Sequence, residues 1–155
     1  MLNLSACSLG QDGATSVCGV LNSLRLLRSL CLARNPIPPV ALATIARTLS
    51  CRRSLEFLDL SSTGAGDAGA HALLPLLQSA GCPRELRLQD NAIASAGATQ
   101  LLNAAATSRG VHVLDLSNNT IDDSVRLAAV VSALHVSHSD RLLPRYCLFA
   151  LLSRG

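Results

Sequence analysis

The sequence predicts an α/β solenoid, that is, an arc with a parallel sheet on its concave face and helices on its convex face. Three observations support this fold class: a strict period of 28 residues, a Leu-x-Leu pattern that opens each period, and helical spacing of the apolar residues that follow. The pattern recurs without an insertion as Leu30-Cys31-Leu32, Leu58-Asp59-Leu60, Leu86-Arg87-Leu88 and Leu114-Asp115-Leu116. A unit of this size cannot bury its apolar side alone, but a stack of identical units can.

The Leu-x-Leu pattern predicts a short strand. Successive side chains of a strand point to opposite faces, so both leucines lie on one face and the residue between them lies on the other. Parallel strands stack about 4.8 Å apart, whereas the helices behind them are bulkier. The helical side of the stack must therefore spread, and the sheet becomes the concave wall of an arc.

A helix is predicted after each strand. Residues 39–49, for example, carry their apolar side chains at helical spacing. Asp67, Ser95 and Asp123 stand at the same place in successive units. A short polar side chain at a helix start can accept hydrogen bonds from free backbone N–H groups, so each of the three is expected to cap its own helix.

A polar residue also recurs just after each strand. An asparagine at this place can both donate to and accept from backbone groups that are left open where the chain turns off the sheet. Cysteine and threonine replace it in some units, and a small side chain with a weak donor can partly do the same. We call this set the turn column; its members are Cys7, Asn35, Thr63, Asn91, Asn119 and Cys147.

We expect a single domain over residues 1–155, built of six units. Their expected bounds are 1–26 (partial), 27–54, 55–82, 83–110, 111–138 and 139–155 (degenerate). Because Met1 enters in the middle of a strand pattern, the chain is expected to be a fragment or a short product related to a longer array. Pro144 replaces a leucine of the pattern and predicts a terminal edge strand, since proline cannot donate to a neighbouring strand. The apolar residues within 148–152 either cap the array or mediate association with a further segment.

The pattern resembles the leucine-rich repeats of ribonuclease-inhibitor type, whose unit L-x-x-L-x-L-x-x-N/C-x-L has the same length. Leu27, Leu55 and Val111 supply the opening apolar position, and the sequence departs from it at Pro83 and Ser139. The resemblance covers essentially the whole chain. It implies a cytoplasmic, intracellular scaffold of the kind found among inhibitor proteins, sensor domains of innate-immune receptors and activators of small GTPases. Fold analogy does not select among these.

The predicted function is a non-catalytic protein–protein interaction scaffold that binds a macromolecular partner on the concave face. That face is lined by the residues between and just after the leucines, and repeat proteins bind there. The expected contacts combine one aromatic side chain with groups that form hydrogen bonds. They are Arg34, Phe57, Asp59, Glu85, Arg87, Gln89, Asp90 and Asp115.

The charges on the predicted concave face alternate in sign. Arg87 stands between Asp59 and Asp115 in the row between the leucines, and it is expected to pair with both across neighbouring strands. A second row, just before the strands, alternates likewise through Arg28, Glu56, Arg84, His112 and Asp140. The alternative is a purely structural role, because opposite charges on adjacent strands relieve repulsion without any partner.

Composition argues against nucleic acid and membrane as partners. Thirteen basic residues are scattered among ten acidic ones without a run of like charges, and the net charge is only +3. With one Tyr, two Phe and no Trp the chain lacks stacking platforms for bases. The start has no signal-peptide pattern, and the longest apolar run near the end is far shorter than the about 20 residues that span a bilayer. Six cysteines without a C-x-x-C pair indicate reduced thiols.

The sequence predicts no enzyme, no metal site and no cofactor. Cys31 is the only cysteine expected on the concave wall, and no histidine stands near it as a base. His135 and His138 are three residues apart, but their surroundings favour a loop without further ligands. Two alternatives stay open for function. One is a regulator of a small GTPase, with Arg34 presented after a strand; the other is an inactive fragment of a longer array that associates through uncapped ends.

Overall fold

A computed structural model describes residues 1–108 and 110–128 of the chain. The strands in this part are Leu2–Asn3 (β1), Ser29–Cys31 (β2), Phe57–Asp59 (β3), Glu85–Arg87 (β4) and Val113–Asp115 (β5). The helices between them are Gln11–Ser23 (α1), Pro39–Ser50 (α2), Gly66–Leu77 (α3) and Ser95–Thr107 (α4), and residues 123–128 are helical too. The expectations for Cys147, Pro144, Asp140, the segment 148–152 and the two histidines concern residues outside the described part.

The strands form one parallel sheet in the order β1-β2-β3-β4-β5. Its central row is made by the first leucine of each pattern, which pairs with its equivalent 28 residues away, as Leu30 does with Leu58. From β2 to β4 both leucines of each pattern are completely buried between the sheet and the helices. The α/β solenoid that the period predicts is therefore confirmed.

The asparagines of the turn column join each unit to the one before it. Asn91 is buried, and its Oδ1 accepts from the N–H groups of Thr63 at 2.9 Å and Ala65 at 3.1 Å. Its Nδ2 donates to the carbonyl oxygens of Leu60 at 2.9 Å and Gln89 at 3.0 Å. One amide therefore satisfies backbone groups of two units at once. The same arrangement recurs at Asn35 and Asn119.

The other described members of the turn column form fewer bonds between units. Thr63 is buried, and its hydroxyl lies 2.9 Å both from the carbonyl oxygen of Leu60 in its own unit and from Asn91 Oδ1 in the next unit. The N–H of Ile37 reaches the Thr63 carbonyl oxygen instead, at 3.2 Å. Cys7 is exposed, and its thiol donates to the carbonyl of Ser5 at 3.5 Å.

The residue before each turn-column position has a left-handed backbone. In all five described units φ at this place lies between 55° and 58°, although none of the residues is glycine. Such a conformation costs an L-residue about 1 kcal/mol or more, so the neighbouring hydrogen bonds must hold it in place. It turns the chain from the sheet toward the helix in every unit. We call these residues the left-handed column; they are Ala6, Arg34, Ser62, Asp90 and Asn118.

The expected helix caps are wrong for Asp67 and Ser95, because neither side chain caps its own helix. Asp67 Oδ1 accepts from the N–H groups of Ala94 at 2.8 Å and Gly97 at 3.2 Å, at the start of the next helix. Ser95 Oγ accepts from the N–H of Asp122, again in the following unit, at 2.9 Å. Successive helices pack side by side, and their first turns are joined by these hydrogen bonds. A short side chain in the first turn of one helix therefore reaches the free N–H groups of its neighbour.

The cap between α3 and α4 depends on a glycine. A Cβ atom at Gly97 would lie 2.4 Å from Asp67 Oδ1 and 3.1 Å from Asp67 Cα. Only a residue without a side chain therefore lets the carboxylate approach the first turn of α4 this closely.

Asn91→Ala is expected to lower the free energy of unfolding by about 2–4 kcal/mol. The change leaves buried N–H and carbonyl groups of two units without a partner, and each such group costs about 1–3 kcal/mol. Urea unfolding followed by far-ultraviolet circular dichroism measures it. The control is Asn103→Ala on the exposed side of α4, which should change stability by less than about 0.5 kcal/mol. An equal effect of the two substitutions would contradict the structural role of the column.

Two glycine substitutions in helices are expected to have opposite signs. Gly19 lies in α1 with nothing within 4 Å of an added Cβ, so Gly19→Ala should stabilise the protein by about 0.5–1 kcal/mol through helix propensity. Gly97→Ala should destabilise it by about 1–2 kcal/mol, because Asp67 must move and the cap is lost. Thermal melting by circular dichroism compares them, and a gain at Gly97 equal to that at Gly19 would rule out the tight contact.

Candidate functional site

The concave face carries two rows of strand side chains that point away from the leucines. Strand pairing places Phe57 of β3 beside Glu85 of β4, and Asp59 beside Arg87. The side chains of these rows in β2 to β5 are half-buried or exposed, whereas the leucine between them is completely buried in β2, β3 and β4. The rows therefore form the accessible part of the sheet. They consist of Ser29, Phe57, Glu85 and Val113, and of Cys31, Asp59, Arg87 and Asp115.

Phe57, Glu85 and Arg87 form one contact group, which we call the aromatic–arginine cluster. The guanidinium carbon of Arg87 lies over the Phe57 ring, 5.0 Å from its centre. Nε and Nη2 of the same group donate to Glu85 Oε1 at 2.8 Å and 2.7 Å. An arginine over an aromatic face gains about 0.5–1 kcal/mol at an exposed site. The cluster thus holds a guanidinium in a fixed orientation near the middle of the sheet.

The expectation that Arg87 pairs with Asp59 and Asp115 is wrong. Each of these aspartates turns toward its own chain, since Asp59 Oδ1 accepts from Ser61 N–H at 2.9 Å and Asp115 Oδ1 accepts from Ser117 N–H at 3.0 Å. An aspartate after a strand competes for backbone N–H groups two residues on. Arg87 therefore turns to Glu85, which has no such local partner among the described residues.

Gln89 and Asp115 form a second polar contact on the concave face. The side-chain Nε2 of Gln89 donates to Asp115 Oδ2 across two neighbouring strands. Asp59 Oδ2 accepts more weakly, from the thiol of Cys31 at 3.5 Å. Two of the predicted contact residues are therefore joined directly, and a third is joined to a cysteine of its own row.

Arg34 and Asp90 lie beside the sheet, in the left-handed column. Both are exposed, and Ser62 of the intervening unit donates from its hydroxyl to Asp90 Oδ2 at 2.9 Å. The eight predicted contact residues thus divide into six on the strands and their ends, and two on the adjoining loops. Their role in binding stays a prediction.

The contact that sequence reasoning missed is the stacking of Arg87 on Phe57. The two residues lie on the same face of adjacent strands and are diagonal neighbours, two positions apart along the strand. Long and aromatic side chains reach each other at that spacing. The two rows therefore contained the signal for this stacking, but pairing of Arg87 with the opposite charges was the simpler interpretation.

In the second row, before the strands, Arg28 Nη1 lies 3.9 Å from Glu56 Oε1, and both side chains are more than half exposed. A pair so exposed contributes between 0 and about 1 kcal/mol. His112 Nδ1 lies 2.8 Å from the carbonyl oxygen of Gly110 in its own loop. The row therefore alternates in charge, but Arg28 and Glu56 are the only members that form an ion pair within the described part of the chain.

The described cysteines differ in access. Cys7 and Cys51 are exposed, Cys18 is buried, and Cys31 on the concave face lies 2.9 Å from the Ser5 hydroxyl. Burial raises the pKa of the Cys82 thiol, and hydrogen bonds from the Ser108 side chain and the Val111 backbone offset only part of this rise. Among residues 1–108 and 110–128, no group of three His, Cys, Asp or Glu side chains could hold a metal ion.

We expect Cys82 to react with iodoacetamide more slowly than Cys7 and Cys51 at neutral pH. Its raised pKa reduces the thiolate fraction, and its partial burial restricts access. Peptide mass spectrometry after timed labelling measures the rates, and labelling in urea should make them equal. Because its pKa is raised, Cys82 should react at a rate close to that of the exposed thiols only in alkaline solution. Equal rates in the folded protein at neutral pH would contradict the assigned environment.

The geometry defines a solenoid of strand, turn and helix units joined by a ladder of buried asparagines. The family model described as Leucine Rich repeat matches residues 108–124. Ribonuclease inhibitor of Sus scrofa is 30% identical over 124 residues, which are 79% of this chain and 27% of that protein. Ribonuclease inhibitor of Mus musculus is 32% identical over 120 residues, or 76% and 26% of the two chains.

The chain is therefore a leucine-rich-repeat protein with units of ribonuclease-inhibitor type. It spans about a quarter of the length of the curated relatives it matches. None of the helices in the described residues is long and apolar enough to cross a membrane.

Proposed function

We propose that the chain is a protein–protein interaction scaffold whose concave face holds a protein partner. The observation that carries the proposal is the aromatic–arginine cluster, which stands on β3, the middle strand of the described sheet, and on β4 beside it. The name of the relatives supports the class of partner, because a ribonuclease inhibitor acts on another protein.

The cluster suits binding because it is already ordered. Phe57 and Glu85 fix the plane of the Arg87 guanidinium before any partner arrives. A side chain that is held in its bound orientation loses less conformational entropy on association. The guanidinium has five N–H donors, and its two bonds to Glu85 leave three for a partner's carbonyl or carboxylate oxygens.

The groups around the cluster extend the proposed contact surface. Asp59 lies beside Arg87 on the neighbouring strand, and the Gln89–Asp115 pair follows on the other side. Arg34 and Asp90 on the adjoining loops form its rim. Arginine and aromatic residues supply most of the binding energy at interfaces, and this face offers one of each at its centre. The affinity of this chain alone should accordingly be modest.

We expect Arg87→Glu to reduce the recovery of the chain's specific partner at least about tenfold in affinity capture. The substitution breaks both the stacking on Phe57 and the bond to Glu85, and a tenfold change corresponds to about 1.4 kcal/mol. Quantitative mass spectrometry of proteins captured by the wild type and the variant measures the loss. Asp115→Arg provides a second reversal on the same face.

The matched control is Arg47→Glu. Arg47 is also exposed, but it lies in the last turn of α2 on the convex side, and its reversal changes the net charge equally. Partner recovery should stay within about twofold of the wild type with this variant. Equal loss from Arg47→Glu and Arg87→Glu would refute binding on the concave face.

A further inference from the structure

Folding brings arginines that are scattered along the sequence to one side of the sheet. The loops that lead into the strands, residues 24–28, 52–56 and 80–84, carry five arginines and a single acidic residue, Glu56. We call this side of the sheet the basic edge; its arginines are Arg25, Arg28, Arg52, Arg53 and Arg84.

The opposite side, where the chain leaves the strands and begins the helices, is acidic. Its described basic residues are Arg34 and Arg126, and Arg126 lies 3.7 Å from the carboxylate of Asp123. The acidic residues on that side are Asp12, Asp67, Asp90, Asp122 and Asp123. Charge is therefore separated across the width of the sheet.

The loops that carry the arginines of the basic edge stack on one another, so equivalent residues lie in adjacent loops. The Ser54 hydroxyl donates to the carbonyl oxygens of Arg25 at 2.9 Å and Leu27 at 3.0 Å, so the loops 24–28 and 52–56 are in contact. Glu56 N–H donates to the carbonyl of Arg28 at 2.7 Å, which continues the contact to the sheet. Arg25 and Arg53 hold equivalent places in adjacent loops, 28 residues apart.

Most of this charge is not neutralised within the described part of the chain. Arg28 is paired with Glu56, and Arg52 donates to the Asn22 amide oxygen at 3.1 Å. The guanidinium groups of Arg25, Arg53 and Arg84 are exposed and have no hydrogen bond or ion pair to any described residue. Adjacent like charges repel, so an anionic partner would relieve a cost that the folded chain carries alone.

The basic edge also has one apolar spot. Leu26 is 88% exposed, and Leu24 beside it is 37% exposed over a small recess whose floor includes Leu21 and Leu49. The next loop has Arg52 and Ser54 at the positions of Leu24 and Leu26, so the large exposed apolar side chains of this edge belong to one loop. A partner would meet apolar side chains at one end and guanidinium groups across the rest.

We propose that the basic edge binds an extended acidic protein segment that carries an apolar side chain. Guanidinium groups bind carboxylates in pairs of parallel hydrogen bonds, and every one of the thirteen basic residues of this chain is an arginine. Three adjacent loops spaced by about 4.8 Å span the reach of a few extended residues at about 3.3 Å each. The loops of the basic edge contain no aromatic side chain for bases to stack on, and a membrane surface would engage apolar side chains on more than one loop.

The probe is a short fluorescent peptide in which glutamate and leucine alternate, and fluorescence anisotropy measures its binding. We expect Arg53→Glu to weaken binding about fivefold or more at about 0.05 M salt, and Leu26→Ser to weaken it about threefold. Both residues are exposed, and circular dichroism should report the same melting temperature as the wild type. Binding should weaken as salt rises to about 0.2 M. A peptide of lysine and leucine should not bind.

Two control substitutions make the test specific to this edge. Arg47→Glu on α2 carries the same charge change and should leave peptide binding within about twofold of the wild type, as should Arg87→Glu on the concave face. Loss of peptide binding with Arg87→Glu would place the peptide on the concave face and overturn the proposal. The concave-face proposal fails independently, through capture experiments in which this peptide has no part.

Other occupants of the basic edge are also outcomes of the test. Tighter binding of a single-stranded RNA oligonucleotide, or of vesicles that contain phosphatidylserine, than of the glutamate–leucine peptide would overturn the proposal. A second copy of the chain could offer its acidic side. In that case light scattering would show a dimer at low salt that Arg53→Glu abolishes, which would overturn it as well.

Discussion

A buried side-chain amide that bonds to the backbone of two successive units fixes the geometry of this protein. The Asn91 side chain accepts from N–H groups 28 and 26 residues earlier and donates to a carbonyl 31 residues earlier. An inserted residue would leave these buried groups without partners at a cost of about 1–3 kcal/mol each. The constant period of the sequence and the pairing of equivalent leucines agree with this one set of distances. The left-handed residue recurs even before Cys7 and Thr63, which lack an amide, so the path of the turn is common to all five described units.

Contacts of the same kind link the helices, so each unit is completed by its neighbour. Asp67 caps α4 and not its own helix, and Gly97 is needed for that approach. In such a stack stability resides largely in the interfaces between adjacent units. Thr63 marks a different junction, where a backbone bond from Ile37 to the Thr63 carbonyl stands in for the bonds that an asparagine amide would accept. The hydrogen bonds between successive units therefore differ along the array, although the strand and helix recur in each unit.

The sequence predicts the position of each residue within its unit, but it does not predict which unit the side chain contacts. The period and the Leu-x-Leu pattern together predicted the parallel sheet and the buried leucines. It could not say that Asp67 turns to the next helix, or that Asp59 turns to Ser61 N–H and leaves Arg87 to Glu85. The left-handed column is invisible in the residue types, since alanine, arginine and serine occur in it. The basic edge cannot be predicted from the residue types either, because its arginines become neighbours only when the loops stack.

The two proposed surfaces differ in electrostatics, and this difference implies different parts in association. On the concave face Arg87 is largely neutralised by Glu85, so its contribution acts over short distances through shape, stacking and the remaining N–H donors. On the basic edge Arg25, Arg53 and Arg84 are uncompensated by described residues, and their field extends about 10 Å into solution at moderate salt. Long-range attraction raises the rate of encounter, whereas close packing at a desolvated anchor slows dissociation. A partner with an acidic segment beside a compact surface would bind at both surfaces. The basic edge would set its association rate, and the aromatic–arginine cluster would set its dissociation rate.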